Sequence, residues 1–241
     1  ALIKLSDGNL LVGGAFTRIN GAARLGLAKL NADGEVLAFS SQVEGGSVYS
    51  IVERSDGKIV IGGSFQSVGG NPSLKRIARL NQDGSIDASF DPPGKTTRTW
   101  VQTHPWKTWV GEWRVDSTGG FDGTVRSVSL VEDDRILAVG EFNYYGETFQ
   151  PRLALLDSDA GINEIFTASR GYASPSGSIQ QALVLKDGRI LLVGNFPGKL
   201  KCLLKDGSVD SGFVPESING EISSAVIQKD GRILLGGDFT K

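Results

Sequence analysis

Ten residues recur five times along this chain: DGNLLVGGAF (7–16), DGKIVIGGSF (56–65), DDRILAVGEF (133–142), DGRILLVGNF (187–196) and DGRILLGGDF (230–239). Their starts lie 49, 77, 54 and 43 residues apart. Self-similarity at such periods marks a repeat architecture, in which each unit buries its apolar faces against its neighbours. A second pattern follows four of the copies: LAKLNADGEVLAF (27–39), IARLNQDGSIDASF (77–90), LALLDSDAGINEIF (153–166) and CLLKDGSVDSGF (202–213). Before the copies come apolar segments: ALIKLS (1–6), VYSIVERS (48–55), VRSVSLVE (125–132), IQQALVLK (179–186) and ISSAVIQK (222–229).

Each unit therefore reads as four short strands, A to D. The Asp-Gly pairs are strong hairpin signals and join A to B and C to D. Strand B, as in KIVIGGSF, is a nearly continuous apolar run, which predicts cover on both faces. A small sheet covered on both faces in an all-β protein sits between two similar sheets, as a propeller blade does. The pairs Gly13–Gly14, Gly62–Gly63 and Gly236–Gly237 predict close backbone approach or a bulge. Phe16, Phe65, Phe142, Phe196 and Phe239 are expected to fill space between blades. Thirty-three glycines suit so many turns. A β-solenoid is the competing repeat fold, but its coils are shorter and lack two hairpin turns each.

The pattern V-x-S-[IV]-x-x-x-x-DG-[KR]-I-[LV]-[LIV]-x-G-x-F, followed by [IL]-A-[RK]-L-N-x-DG-S-[IV]-D-x-x-F, resembles the delta-sixty repeat family. The resemblance spans most of the chain and implies a bacterial β-propeller from a large secreted or surface protein. It implies no activity and carries no catalytic residues. The chain departs from the pattern at 95–117, at the Asp-Asp turn of the third copy, and at the short loop PGKLK (197–201). Counted in blades, the expectation is an all-β propeller of four-stranded antiparallel blades: four full blades and half of a fifth over residues 1–241, as one propeller or part of one. The half blade and the absence of methionine lead to the expectation of a segment of a longer protein, or of strands given by a partner.

The longest gap holds TWVQTHPWKTWVGEWRV (99–115), with all four tryptophans and the one histidine. In antiparallel blades both Asp-Gly turns lie at one end, and the B–C loops and D–A links at the other. The insertion at 95–117 is a D–A link between the second and third full blades. The next B–C loop, NYYGETFQP (143–151), opens at the same end with Tyr144, Tyr145 and Phe149, so the two aromatic segments should be neighbours. Each tryptophan has about 150–250 Å² to bury, whereas exposed apolar patches on a monomer rarely exceed a few hundred Å². The alternation of Trp109, Gly111, Trp113 and Val115 predicts a hairpin arm, with Trp106 near its tip beside the turn at Pro105. Two readings stay open: a lid packed on the propeller, or a recognition platform.

Other chemistry finds little support. His104 has no cysteine or second histidine beside it, so zinc and Ser-His-Asp chemistry lack a constellation. Asp56, Asp83 and Asp206 recur in turns, which is geometry rather than acid–base catalysis. Asp87 and Asp210 recur at one position and are expected to bond nearby backbone. DSDAGINE (157–164) lacks the length and ligand set of a calcium loop. No helix follows the G-G-x-F runs to hold a phosphate. Cys202 reads as a small core residue, and with one cysteine no disulfide closes within the chain. A net charge of −2 gives no global pull toward nucleic acid or an acidic membrane, and Lys95, Arg98, Lys107 and Arg114 are too few to change that. No run of apolar residues is long enough to span a bilayer.

The expected function is a non-enzymatic, cofactor-free and metal-free scaffold or adhesion module, extracellular or at the cell surface. It would bind a glycan or protein through Trp100, Trp106, Trp109, Trp113, Tyr144 and Tyr145. The alternative is a self-assembling repeat of a surface filament or layer, completed by a neighbouring segment or chain. An enzyme with acids converging on the central channel is a third class, for which the sequence offers no unique acid cluster.

Overall fold

The computed structural model describes residues 1–102, 111–166 and 177–240, and the side chains among them except those of 95–102 and 111–118. Five antiparallel sheets follow one another, one per repeat unit. Strand A spans Leu2–Lys4, Val48–Glu53, Val125–Leu130, Ser178–Val184 and Ile222–Ile227 in units 1 to 5. Strand B spans Leu10–Gly13, Ile59–Gly63, Ile136–Gly140, Ile190–Asn195 and Ile233–Gly237. Strand C spans Leu27–Leu30, Ile77–Leu80, Leu153–Leu156 and Leu200–Leu203. B is central in every three-stranded sheet, with A and C at its sides.

The D segment is shorter than a strand. It touches C through single bridges, Leu30↔Val36, Leu80↔Ile86, Leu156↔Ile162 and Leu203↔Val209. The next residue adds one hydrogen bond back to strand C, such as Asp87 N to Arg79 O at 3.0 Å. The chain then turns at once, because Phe90 N donates to Asp87 O and Phe213 N to Asp210 O. The residue that starts this turn, Asp87 or Asp210 in units 2 and 4, ends the ladder, so units 1 to 4 each have three full strands and a vestigial fourth.

The Asp-Gly turns are three-residue loops rather than two-residue ones. In unit 2, Gly57 N donates to Arg54 O, Arg54 N to Lys58 O, and Gly57 sits at φ 78°. This is a type I turn closed by a left-handed glycine. Asp56 Oδ1 accepts Lys58 N at 3.0 Å, and Asp83, Asp187, Asp206 and Asp230 do the same two residues on. In unit 3 there is no glycine, and Asp133 and Asp134 themselves take φ 60° and 55°.

Each A strand of units 2 to 5 carries a bulge: the register slips between Val48 and Ser50, Val125 and Ser127, Ile179 and Gln181, and Ile222 and Ser224. The extra residue explains an apolar spacing of three where a regular strand would show two. Val48 and Ile51 thereby share one face, packed on the preceding blade. The bulge pushes the carbonyl before the strand toward B, so a Cβ at Gly63, Gly140, Gly194 or Gly237 would overlap the oxygen of Ser47, Thr124, Ser178 or Glu221. That close approach is the reason for glycine two residues before the repeated phenylalanine.

The core is a row of blade-to-blade interfaces. One continuous cluster joins units 1, 2 and 3, a second joins units 3 and 4, and a third joins units 4 and 5. Phe65, Phe142 and Phe196 are buried in these seams, as is Cys202. The A strands of neighbouring blades also clip together: Val128 N donates to Ser50 Oγ at 3.0 Å, Ser129 Oγ to Ala182 O at 2.7 Å, and Ala225 N to Gln181 Oε1 at 2.8 Å. The A strands therefore form the hub of the fan.

Candidate functional site

The B–C loops and D–A links meet at one end of the fan. There the insertion contributes two antiparallel strands, Gly94–Gln102 and Gly111–Gly119, with Trp100 opposite Trp113 in the backbone register. The side chains of Trp100 and Trp113 lie outside the described residues, as do Trp106, Trp109 and His104 altogether. The base of this arm is held between two loops. Phe121 N donates to Lys75 O and Arg76 Nη1 to Phe121 O on one side. Gly146 N donates to Gly120 O, and Phe121 bridges Tyr145, on the other. The arm thus springs from beside the tyrosine-bearing loop.

Within that loop, Tyr144–Tyr145 pairs with Thr148–Phe149 as a small hairpin. Asp122 Oδ1 orients it by accepting both Asn143 N and Tyr144 N at 2.8 Å. Alternation then separates the two tyrosines. Tyr144 is 43% exposed and meets Phe149, 55% exposed, edge-on with ring centres 5.3 Å apart. Tyr145 is fully buried against Phe121 and donates its hydroxyl to Ala160 O at 2.9 Å. Burial, with Asp159 and Asp91 nearby, pushes its phenol well above the usual range. The expectation of Tyr145 as a contact residue is corrected: its place faces the core, and Phe149 is the second surface ring. The signal was present in the sequence, because Ile19 and Val68 hold the same position, three residues after the repeated phenylalanine, and Val68 is likewise buried.

A second set of residues at this end escaped the sequence reading. The bulge residues are Tyr49, Arg126, Gln180 and Ser223, and in the same units 2 to 5 the residue before the repeated phenylalanine is Ser64, Glu141, Asn195 or Asp238. Both positions vary from copy to copy more than their flanks, which is what a position free of packing duty looks like. In space they form a polar rim around the hub. Arg126 donates from Nε and Nη2 to Glu141 Oε1 at 3.1 and 2.7 Å and lies over the Tyr49 ring at 5.3 Å. Gln180 Nε2 donates to Glu221 Oε1 at 2.7 Å and to Ser178 Oγ at 3.1 Å. Ser178 pairs in register with Asn195. Beside Asn195 an open recess of about 330 Å³ is lined by Gly177, Phe196, Pro197 and Lys199.

Elsewhere the candidate groups are structural. Asp159 Oδ1 accepts Gly161 N, and Asp157 Oδ1 accepts Asn163 Nδ2, as parts of a turn. Among the described residues no group of three or more His, Cys, Asp or Glu is placed to hold a metal ion. No helix among them is long and apolar enough to cross a membrane.

Three segments, residues 5–36, 54–90 and 185–213, match the model of a family described as "Domain of unknown function (DUF5122) beta-propeller". No curated protein matches the chain. Similar solved structures include a virginiamycin B lyase from Staphylococcus aureus in complex with quinupristin, 12% identical, covering 97% of this chain and 82% of its own, at a TM-score of 0.48. They also include a streptogramin B lyase, 14% identical, covering 98% of this chain and 75% of its own, at a TM-score of 0.44. The chain is an all-β protein of the β-propeller class. Against the expectation of a non-enzymatic chain, the similar structures carry the names of lyases, and that expectation is not carried forward. At such identity the likeness is one of fold and assigns no reaction here.

Proposed function

We propose that the loop-bearing end of this propeller is a recognition face for a glycan or a protein partner, in a protein located outside the cell or on its surface. Tyr144 and Phe149 are its aromatic contacts, together with the insertion that carries Trp100, Trp106, Trp109 and Trp113. One observation carries the reading: two large rings stand exposed on a hairpin that Asp122 fixes with two backbone hydrogen bonds. Rigid aromatic rings bind at low entropic cost and supply interface hot spots. The resemblance to delta-sixty repeats supports the surface location. In the Tyr144→Ala/Phe149→Ala variant, stability is expected to change by less than about 0.5 kcal/mol, as for surface sites. Binding on a glycan array or to surface proteins should fall by about tenfold or more. Unchanged binding would refute the reading.

A second reading, self-association, is favoured by one face. Gly13 and Gly62 each receive the next blade's valine: a Cβ there would lie 2.6 Å from Val48 and 2.7 Å from Val125. The equivalent Gly236 meets nothing within 4 Å, and Leu234 beside it is 58% exposed, while its counterparts Leu11, Val60, Leu137 and Leu191 are fully buried. A second copy would cover this face with its own exposed Leu2. Sedimentation should show concentration-dependent association that Leu234→Asp abolishes, and a monomer at all concentrations would remove the reading.

A further inference from the structure

We propose that the polar rim of the hub, built on Tyr49, Arg126, Glu141, Gln180 and Glu221, is a binding site for a neutral, hydroxyl-rich ligand, that is, a saccharide. The site deepens the recognition reading by naming a ligand class, but stands on residues other than the exposed loop pair.

The rim is pre-ordered. Each polar side chain is held by one neighbour and keeps a second group open. Glu141 uses Oε1 for Arg126, and Glu221 uses Oε1 for Gln180; among the described residues Oε2 of both carboxylates and Nη1 of Arg126 make no hydrogen bond, while Oε1 of Gln180 makes none either. The Tyr49 hydroxyl accepts from Ser64 Oγ at 3.4 Å and keeps its own proton to give. The rim thus carries both acceptors and donors. A sugar ring matches such a surface, because every hydroxyl both donates and accepts, and its C–H face packs on an aromatic ring. Tyr49, 42% exposed with Arg126 over its ring, supplies that aromatic element.

Charge argues for neutrality. Arg126 is balanced by its salt bridge to Glu141, and Glu221 adds a negative charge, so an anionic ligand would meet repulsion at the carboxylates. The bulges give the geometry: one extra residue in the A strands of units 2 to 5 turns a side chain out of the blade interface and toward the rim.

The test is a glycan array holding neutral, uronate-bearing and sulfated oligosaccharides, followed by calorimetry on the best neutral glycan. Wild type, Tyr49→Ala, Gln180→Ala and Tyr144→Ala/Phe149→Ala proteins would be compared, each checked by denaturation for an unchanged fold. The expected result is binding of neutral glycans, weakened at least tenfold by Tyr49→Ala and by Gln180→Ala. Binding lost only in the Tyr144→Ala/Phe149→Ala protein would overturn the rim site and leave the loop face standing. Binding restricted to acidic glycans, or no neutral glycan bound at all, would also overturn it, while protein binding lost in the loop variant would still support the recognition face.

Discussion

Asp87→Ala is expected to remove about 3–5 kcal/mol of stability, the range for breaking a buried ion pair from one side. Arg79 and Asp87 are 3% and 6% exposed. Asp87 Oδ2 accepts Arg79 Nε at 2.6 Å and Lys58 Nζ at 2.8 Å, while Oδ1 accepts Ser89 N and Oγ. Arg79 continues the network to Ser89 and, across the blade interface, to Ser158 O, with its guanidinium 5.0 Å from the Phe90 ring centre. Removing the carboxylate strands a guanidinium that water does not reach. Replacing both partners, as in Arg79→Met/Asp87→Leu, should be milder than Asp87→Ala alone. Burial by itself would raise the Asp87 carboxyl, but hydrogen bonds from Lys58, Ser89 and Arg79 outweigh it and hold the group well below the usual range. A depressed folded pKa makes the contribution fully present above the unfolded value of about 4 and progressively lost as pH falls below it. Urea denaturation at pH 7 and across the acid range should show the gap between wild type and Asp87→Ala narrowing only below about pH 4. A gap under about 1 kcal/mol at pH 7 would mean that the network contributes no more than a surface pair.

Gly62→Val should be the most damaging change in the hydrophobic seams, costing about 3 kcal/mol, the upper part of the overpacking range. A Cβ at Gly62 would lie 2.7 Å from Val125 Cγ1 and 2.9 Å from Val128 Cγ1. The other seams show how the chain accommodates a larger residue there. Units 3 and 4 carry Val139 and Val193 at this position, and the facing residues are Ala182 and Ala225 in place of Val128 and Ile51. Volume moves from one side of the seam to the other while the sum is kept. Gly62→Val/Val128→Ala should therefore be more stable than Gly62→Val alone, with a coupling above about 1 kcal/mol in the double-mutant cycle. Gly236→Val, in the same repeat position with nothing within 4 Å, should leave monomer stability nearly unchanged. Additive losses in the cycle, or equal damage at Gly62 and Gly236, would disprove seam packing as the cause.

Much of the architecture was legible because the units repeat. The recurring ten-residue copies locate every A–B turn and central strand, three of them as DG-[KR]-I-[LV], since similar local chemistry produces a similar hairpin each time. The fourth strand was overread. SIDASF alternates like a strand, but Asp87 serves a turn and a buried ion network instead, and that competition is settled by Arg79 in strand C and Lys58 just before strand B. The A-strand bulge was signalled by apolar residues three apart, Val48 and Ile51, yet a spacing of three also suits other local structures until a partner strand defines register.

At the candidate site, the sequence alone determined which end of the fan carries the aromatic loop and which positions vary between copies. Hairpin connectivity and repetition are local properties, and a single chain displays them in full. Apolar Ile19 and Val68 at the position of Tyr145 hinted that it turns inward, but only the tertiary structure decided that it does while Tyr144 and Phe149 stay out, that Arg126 meets Glu141 and Tyr49, and that Gln180 meets Glu221. Those outcomes depend on which surfaces meet when separate units pack face to face. A side chain's exposure is set by neighbours that lie tens of residues away, so a local pattern hints at it and the packing settles it.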